Sequence, residues 1–392
     1  MAVSASLRQA VRWFSAIPTP IVLGIGAALC SSQRLANPVG RDTALTAVTV
    51  WGLIILAAVI YSAVFAVVLP VLARQSDRLA LVAVGVIVVA LVVAFIVVYP
   101  RYGLPTVGGF GDRDDALTIM WKALLSGDNP FDQKTYLGDQ VSPLLGGVVL
   151  YAPFVAVTGS AGWGAPVLLV LATLAAWRLL SPRVLLLSGF VIVVNIGFLE
   201  DFLLGGDAFI VPLLLAVAIG LLCDARSPLI VAILAVVLGA LAGSARANVV
   251  PVAVAAGLFA LLQHRATTRR LALLVMTLGS LTLVGISWVW AGGSSAWPFT
   301  GDLTRVLRHA ISALLVVALV GAGVRWQRSR TSTPCVDLAK GTALLGFSIV
   351  PLVVVPAALF RLWPTVVLVL PLLLRRYADQ VGSRDRFDSL VN

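Results

Sequence analysis

Three carboxylates crowd into four residues: Asp112, Asp114 and Asp115, with Arg113 among them. Like charges this close cannot all ionise alike. Their pKa values are pushed apart, and one of the set can be poised to accept a proton. Such a carboxylate is suited to act as general base toward an attacking hydroxyl within hydrogen-bond reach. The same residues also serve as helix caps and keep a loop soluble, and spacing does not say which carboxylate is tuned. A second acidic group is Glu200, Asp201 and Asp207, whose side chains suit ligand hydroxyls or a divalent cation such as magnesium or manganese. Cations stand ready in Arg246, isolated among apolar residues, and in Arg305 and Arg308 beside His309. A cation of this kind stabilises negative charge that develops on a leaving group. Its bland role is interfacial anchoring or a solvated helix start. Two histidines, His264 and His309, speak against a His-based metal site, and three scattered cysteines against a disulfide framework.

The elements that must position these groups are set by composition. Of 392 residues, 60% are hydrophobic and only 11% charged, with mean hydropathy +1.03. A soluble domain carries about 25% charged residues. So apolar a chain is not a soluble enzyme, a disordered segment or a nucleic-acid-binding domain, despite a net charge of +11. Apolar runs predict membrane helices over 14–30, 44–73, 79–99, 164–180, 184–199, 207–223, 228–243, 248–263, 271–290, 310–324, 338–359 and 362–374. A further run, 143–158, carries Pro143, Gly146, Gly147 and Pro153.

The positive-inside rule decides how that run is read. If 143–158 does not cross and the N-terminus is cytoplasmic, about 18 of the 28 basic residues lie inside. If it crosses, the clusters His264–Arg270, Arg325–Arg330 and Arg375–Arg386 all move outside. The expected fold is therefore an all-α polytopic membrane protein with about 12 crossings, both termini cytoplasmic, and 143–158 interfacial or half-inserted. The stretch 1–12 and the first apolar run are read as a retained helix, and 375–392 as a cytoplasmic extension.

One long polar loop, 100–142, faces outward in this arrangement. Gly108, Gly109 and Gly111 lead into the acidic cluster. Asp112 or Asp114 is placed to cap a helix over 115–126, whose Leu117, Met120, Trp121, Leu124 and Leu125 lie close to one stripe. That helix is expected along the membrane surface, and Gly127-Asp128-Asn129-Pro130 to end it.

The order of these parts resembles a known family. An acidic cluster follows an early membrane helix, then an amphipathic segment, then Gly127-Asp128-Asn129-Pro130-Phe131 and Tyr136. Ser142-Pro143, Gly146-Gly147 and Tyr151-Ala152-Pro153-Phe154 come next. This resembles the first extracytoplasmic loop of GT-C glycosyltransferases, above all the polyprenyl-phosphate-sugar-dependent mannosyl- and arabinofuranosyltransferases of actinobacterial envelopes. The resemblance covers residues 79–265 and takes in the outer loop 100–163. Residues 1–78 would be extra N-terminal helices, and 266–374 C-terminal helices of the same transmembrane domain. Ser142-Pro143-Leu144 stands where many relatives have paired prolines.

The resemblance implies transfer of a sugar from a polyprenyl-phosphate donor to a hydroxyl of an envelope glycolipid or glycan, at the outer face of a bacterial plasma membrane. It implies a catalytic aspartate ahead of the amphipathic helix, with Asp114 the first choice and Asp112 and Asp115 the alternates. Arg246 would meet the donor phosphate, and Arg305 and Arg308, beyond the resemblance, form a second basic patch suited to phosphate by charge alone. By their own chemistry, Lys134 and Tyr136 suit contact with sugar or phosphate, Glu200, Asp201 and Asp207 contact with sugar hydroxyls, and Trp297 stacking on a sugar. No metal or other cofactor is expected, with a divalent cation the alternative. The partners are lipids and lipid-linked sugars, not nucleic acid. The rival readings are a lipid-linked-sugar flippase and a non-catalytic membrane scaffold.

Overall fold

The computed structural model describes residues 18–30, 44–103, 113–138, 141–223, 227–262 and 268–291, together with 370, 374, 377–379 and 381. The described chain is helical, with no β-strand among these residues. In order the helices are α1 (Thr19–Cys30), α2 (Ala44–Ala73), α3 (Asp77–Tyr102), α4 (Arg113–Ser126), α5 (Leu145–Thr158) and α6 (Gly164–Leu179). There follow α7 (Pro182–Val193), α8 (Ile196–Leu203), α9 (Ile210–Cys223), α10 (Leu229–Gly243), α11 (Val250–Leu262) and α12 (Thr268–Trp290). Two short 3-10 turns, Pro130–Asp132 and Ala161–Trp163, stand between helices.

Among the described residues, four helical stretches are long and apolar enough to cross a membrane: Gly52–Ala73, Asp77–Tyr102, Ala161–Leu179 and Thr268–Trp290. The bent pair α7 and α8 would make a fifth. At 1.5 Å per residue, the 26 residues of α3 reach about 39 Å, beyond the roughly 30 Å of hydrocarbon. Its two faces differ. Val82, Val86, Val89, Val93 and Ile96 form an exposed apolar stripe at helical spacing, as lipid contact requires. Ala80, Leu91, Phe95 and Tyr99 face inward and are buried. The 14 residues of α5 span only about 21 Å, but α9, whose run is expected to cross, is equally short, so length does not set the two apart. The expected spans 310–324 and 338–359, and most of 362–374, lie outside the described residues.

One expected span is corrected. The run 184–199 is not a single helix: α7 stops at Val193 and α8 leaves at a bend of 80°. Asn195 causes the break. Its Oδ1 accepts the Phe198 N–H, capping α8, and its Nδ2 donates to Ala27 O at 2.9 Å. The side-chain oxygen thus satisfies an N–H that a continuous helix would have paired, and the side-chain nitrogen ties the break to α1.

The chain divides into two compact units. The described residues of the first fall within Met1–Ile87, Leu180–Leu199 and Val317–Asn392. Its core holds Val22, Leu23, Phe65, Leu69, Val184 and Leu187, all nearly or fully buried. Asp77 and Arg183, both assigned to the inner side by the charge rule, form an ion pair at 2.9 Å. The described residues of the second fall within Val88–Leu179 and Glu200–Val316. Every described candidate site residue belongs to this second unit.

Within it, α4 starts two residues before the expected Asp115, at Arg113. Asp114 therefore sits in the first helical turn and is not the cap. The expected stripe is also divided. Leu117 and Met120 are fully buried, Trp121 and Leu124 half-buried, and Leu125 exposed. The helix ends where the turn chemistry puts it. Gly127 takes φ +79°, its N–H donates to Leu124 O, and the Asp128 N–H donates to Ala123 O. This paired bonding at a left-handed glycine is a Schellman ending. Asn129 Oδ1 then accepts the Phe131 N–H, which turns the chain at Pro130.

Candidate functional site

The site is built around the last turns of α3. Tyr99 is fully buried there, stacked on Phe95 at 4.8 Å and edge-on to Trp163 at 5.5 Å. Three glycines make room for its ring: a Cβ at Gly103, Gly162 or Gly205 would collide with it. Gly205 also sits at φ +77°, where a side chain is strained. So held, Tyr99 Oη donates to Asp114 Oδ2 at 2.5 Å and lies 2.5 Å from Ser160 Oγ. Thr118 locks the arrangement. Its Oγ1 donates to Asp114 O one turn back and accepts the Ala161 N–H at 2.9 Å.

Asp114 is 1% exposed, and its Oδ1 has no hydrogen-bond partner among the described residues. Burial raises its pKa from the usual carboxylate range to about 7. The Tyr99 hydrogen bond and the nearby N–H groups of Asp115 and Asp114 pull the other way without overcoming it. The result is a carboxyl with one oxygen fixed, one oxygen free to take a proton, and an affinity matched to neutral pH. Asp115 does a different job. Its Oδ2 accepts the Tyr136 N–H at 3.0 Å, tying the loop after α4 back onto its first turn. Asp112 lies outside the described residues.

Two ion pairs with buried carboxylates and partly buried arginines stand in the same unit. Arg113 Nη1 donates to Asp201 Oδ1, and Asp201 Oδ2 accepts the Phe209 N–H. Arg246 grips Asp207 bidentately, Nε to Oδ2 at 2.8 Å and Nη2 to Oδ1 at 2.6 Å, and its Nη1 donates to Ser142 Oγ at 2.7 Å. Burial works against the Arg246 charge, but Asp207 more than offsets it and the guanidinium pKa is raised. The Ser-Pro-x-x-Gly-Gly segment explains how this arginine is seated. Leu144 N donates to Ala245 O. A Cβ at Gly146 would collide with Ser244, and one at Gly147 would press on Ala245. The two glycines let the start of α5 lie directly on the chain that carries Arg246.

The sequence-expected residues are thus sorted. Asp114 and Asp115 share the first turn of α4 but differ in role. Asp201, Asp207 and Arg246 are buried or nearly so and held in ion pairs. Glu200 and Tyr136 are half-buried and Lys134 is exposed. Arg305, Arg308 and Trp297 lie outside the described residues. Among the described residues, no three His, Cys, Asp or Glu side chains come together as a metal site. No family model matches the chain, and neither does any curated protein or solved structure.

Sequence reasoning missed Tyr99, Ser160 and Thr118. Tyr99 in the last turns of an apolar helix reads as an interfacial residue. Ser160 reads as a turn residue. Only Gly103, Gly162 and Gly205, all crowding one ring, offered a signal, and it needs the fold to be seen.

Proposed function

We propose that this chain is a multi-pass membrane glycosyltransferase of the GT-C kind, crossing the bilayer about twelve times with its active site on the outer face. Its donor is a polyprenyl-phosphate sugar, mannose or arabinofuranose, and its acceptor a hydroxyl of an envelope glycolipid or glycan. The observation that carries this reading is Asp114. A carboxyl with pKa about 7, buried, fixed through one oxygen and unpartnered at the other, is costly to the fold and suited to general-base work.

In this reading Asp114 Oδ1 takes the proton of the acceptor hydroxyl as its oxygen attacks the anomeric carbon. The bond from that carbon to the donor phosphate oxygen breaks, and the electron pair leaves with the lipid phosphate. Tyr99 holds the carboxylate in position. Arg246 meets the departing phosphate: a guanidinium has five N–H groups, and Asp207 and Ser142 engage three of them. The protonated Asp114 returns its proton to solvent. Arg305 and Arg308 are proposed as further phosphate contacts, and Glu200, Asp201, Asp207, Lys134, Tyr136 and Trp297 as the surroundings of the sugar.

The test is transfer of labelled sugar by the full chain, with Asp114→Asn, Asp115→Asn and wild type at matched expression. Loss confined to Asp114→Asn supports the base; equal transfer by all three removes it. One observation favours a second reading. The helix break at Asn195 resembles the discontinuous helices of transporters. Movement of a lipid-linked sugar across the bilayer without transfer would select that reading.

A further inference from the structure

We propose that Tyr151 is a substrate contact whose phenol donates a hydrogen bond to a hydroxyl of a neutral, polyhydroxylated ligand held beside Asp114. The inference rests on reading the site as one that handles a sugar, and it names how the sugar is recognised.

Tyr151 lies in α5 and is fully buried, yet its Oη has no hydrogen-bond partner among the described residues. Among the described residues of the second unit, the only other side-chain atom in that condition is Asp114 Oδ1. Buried tyrosine hydroxyls are normally paired, because an unpaired one forfeits its bonds to water. The ring is not free to turn away. Phe154 meets it edge-on at 6.2 Å, and α6 begins with Gly164 directly against it. A Cβ at Gly164 would stand 2.8 Å from Tyr151 Cδ1 and 2.9 Å from Cε1. The sequence therefore builds a close socket for the ring and leaves its hydroxyl without a bond.

The charges around the phenol say what belongs there. Those that bear on it are Asp207, Asp201, Arg246 and Asp114, in falling order. Asp207 is matched by Arg246 and Asp201 by Arg113. Asp114 is the one acid of the group with no cation hydrogen-bonded to it among the described residues. An anion placed at the phenol would face three carboxylates, Asp207, Asp201 and Asp114, against one arginine whose charge Asp207 already offsets. A hydroxyl-bearing neutral group satisfies both orphan atoms, accepting from Tyr151 Oη and donating to Asp114 Oδ1. Discrimination follows from this chemistry, because a ligand lacking the hydroxyl would leave the buried phenol unpaired.

The experiment uses the purified full chain in detergent, wild type against Tyr151→Phe. Ligand-free, Tyr151→Phe should raise Tm, since it removes a buried unpaired hydroxyl without opening a cavity. An unchanged or lowered Tm overturns the proposal, because it would mean that the phenol has a structural partner. Methyl mannopyranoside and methyl arabinofuranoside are then titrated, with inorganic phosphate as the charged control. Wild type should bind at least one glycoside saturably, and Tyr151→Phe should weaken that binding by about threefold to tenfold. Phosphate binding should be the same in both proteins. Equal glycoside binding, no saturable glycoside binding by wild type, or a loss confined to phosphate each overturns it. These measurements need no turnover. Tyr151-dependent glycoside binding without sugar transfer would leave the contact standing and remove the catalytic reading.

Discussion

Replacing Tyr99 by phenylalanine should move the pH dependence of the reaction without removing the base. Tyr99 Oη donates to Asp114 Oδ2 at 2.5 Å, and this bond lowers a pKa that burial has raised to about 7. A hydrogen bond to a charged group contributes about 1.5–3 kcal/mol. At 1.36 kcal/mol per pKa unit, its loss shifts the rising limb of the rate profile upward by about one to two pH units. Ser160 Oγ, 3.4 Å from the same oxygen, can move in and hold the shift to the lower figure. At neutral pH, wild-type Asp114 is about half ionised, and in Tyr99→Phe that fraction falls to between about a tenth and a hundredth. Activity should drop by roughly 5- to 50-fold at pH 7 and recover toward wild type above about pH 9. The assay is sugar transfer in membrane vesicles across that range, with protein folding checked by Tm. A limb that stays in place, or moves to lower pH, would refute the reasoning. Equal loss at every pH would mean that Tyr99 does not act through the proton affinity of Asp114.

Further predictions follow from the same geometry. Gly162→Ala puts a methyl against Tyr99 Oη, so it should reproduce the alkaline shift of Tyr99→Phe and cost about 1–3 kcal/mol of stability, read by denaturation and the pH profile together. Asp114→Asn should cut transfer by about 10²- to 10⁴-fold yet stabilise the protein. A carboxyl whose folded pKa lies above its unfolded one costs nothing below both, loses stability as pH rises between them, and carries the full cost above the folded value. From 3.8 to about 7 that cost is up to about 4 kcal/mol, so Tm of Asp114→Asn should exceed wild type at about pH 8 and converge with it near pH 4. Asp207→Asn leaves Arg246 charged and buried without its partner and should cost about 3–5 kcal/mol, a loss that thermal unfolding detects. Arg246→Lys cannot reproduce the two-pronged grip on Asp207 and should lower both Tm and turnover.

What could be read from the sequence was local. The apolar run 44–73 is the helix Ala44–Ala73, and 79–99 falls inside Asp77–Tyr102, because long uninterrupted hydrophobicity leaves little choice. The turn at Gly127-Asp128-Asn129-Pro130 ends its helix where it should, since left-handed glycine and a capping asparagine act within a few residues. The break in 184–199 could not be read. One asparagine in an apolar run is easily carried by a helix, and its decisive partner, Ala27, lies 168 residues away. The site shows the same limit. Composition marks Asp112, Asp114 and Asp115 alike, but burial and a tyrosine 15 residues upstream single out Asp114, while a bond to the Tyr136 N–H gives Asp115 a structural task. Arg246 was legible as an isolated cation, but its grip on Asp207, 39 residues before it, was not.

Transfer of labelled sugar from polyprenyl-phosphate mannose and from polyprenyl-phosphate arabinofuranose to membrane acceptors tests the central claim most directly. Wild type should transfer from at least one donor, and Asp114→Asn, folded and equally expressed, should lose about 10²- to 10⁴-fold of that rate. Transfer by Asp114→Asn at the wild-type rate, or none by wild type from either donor, would contradict it.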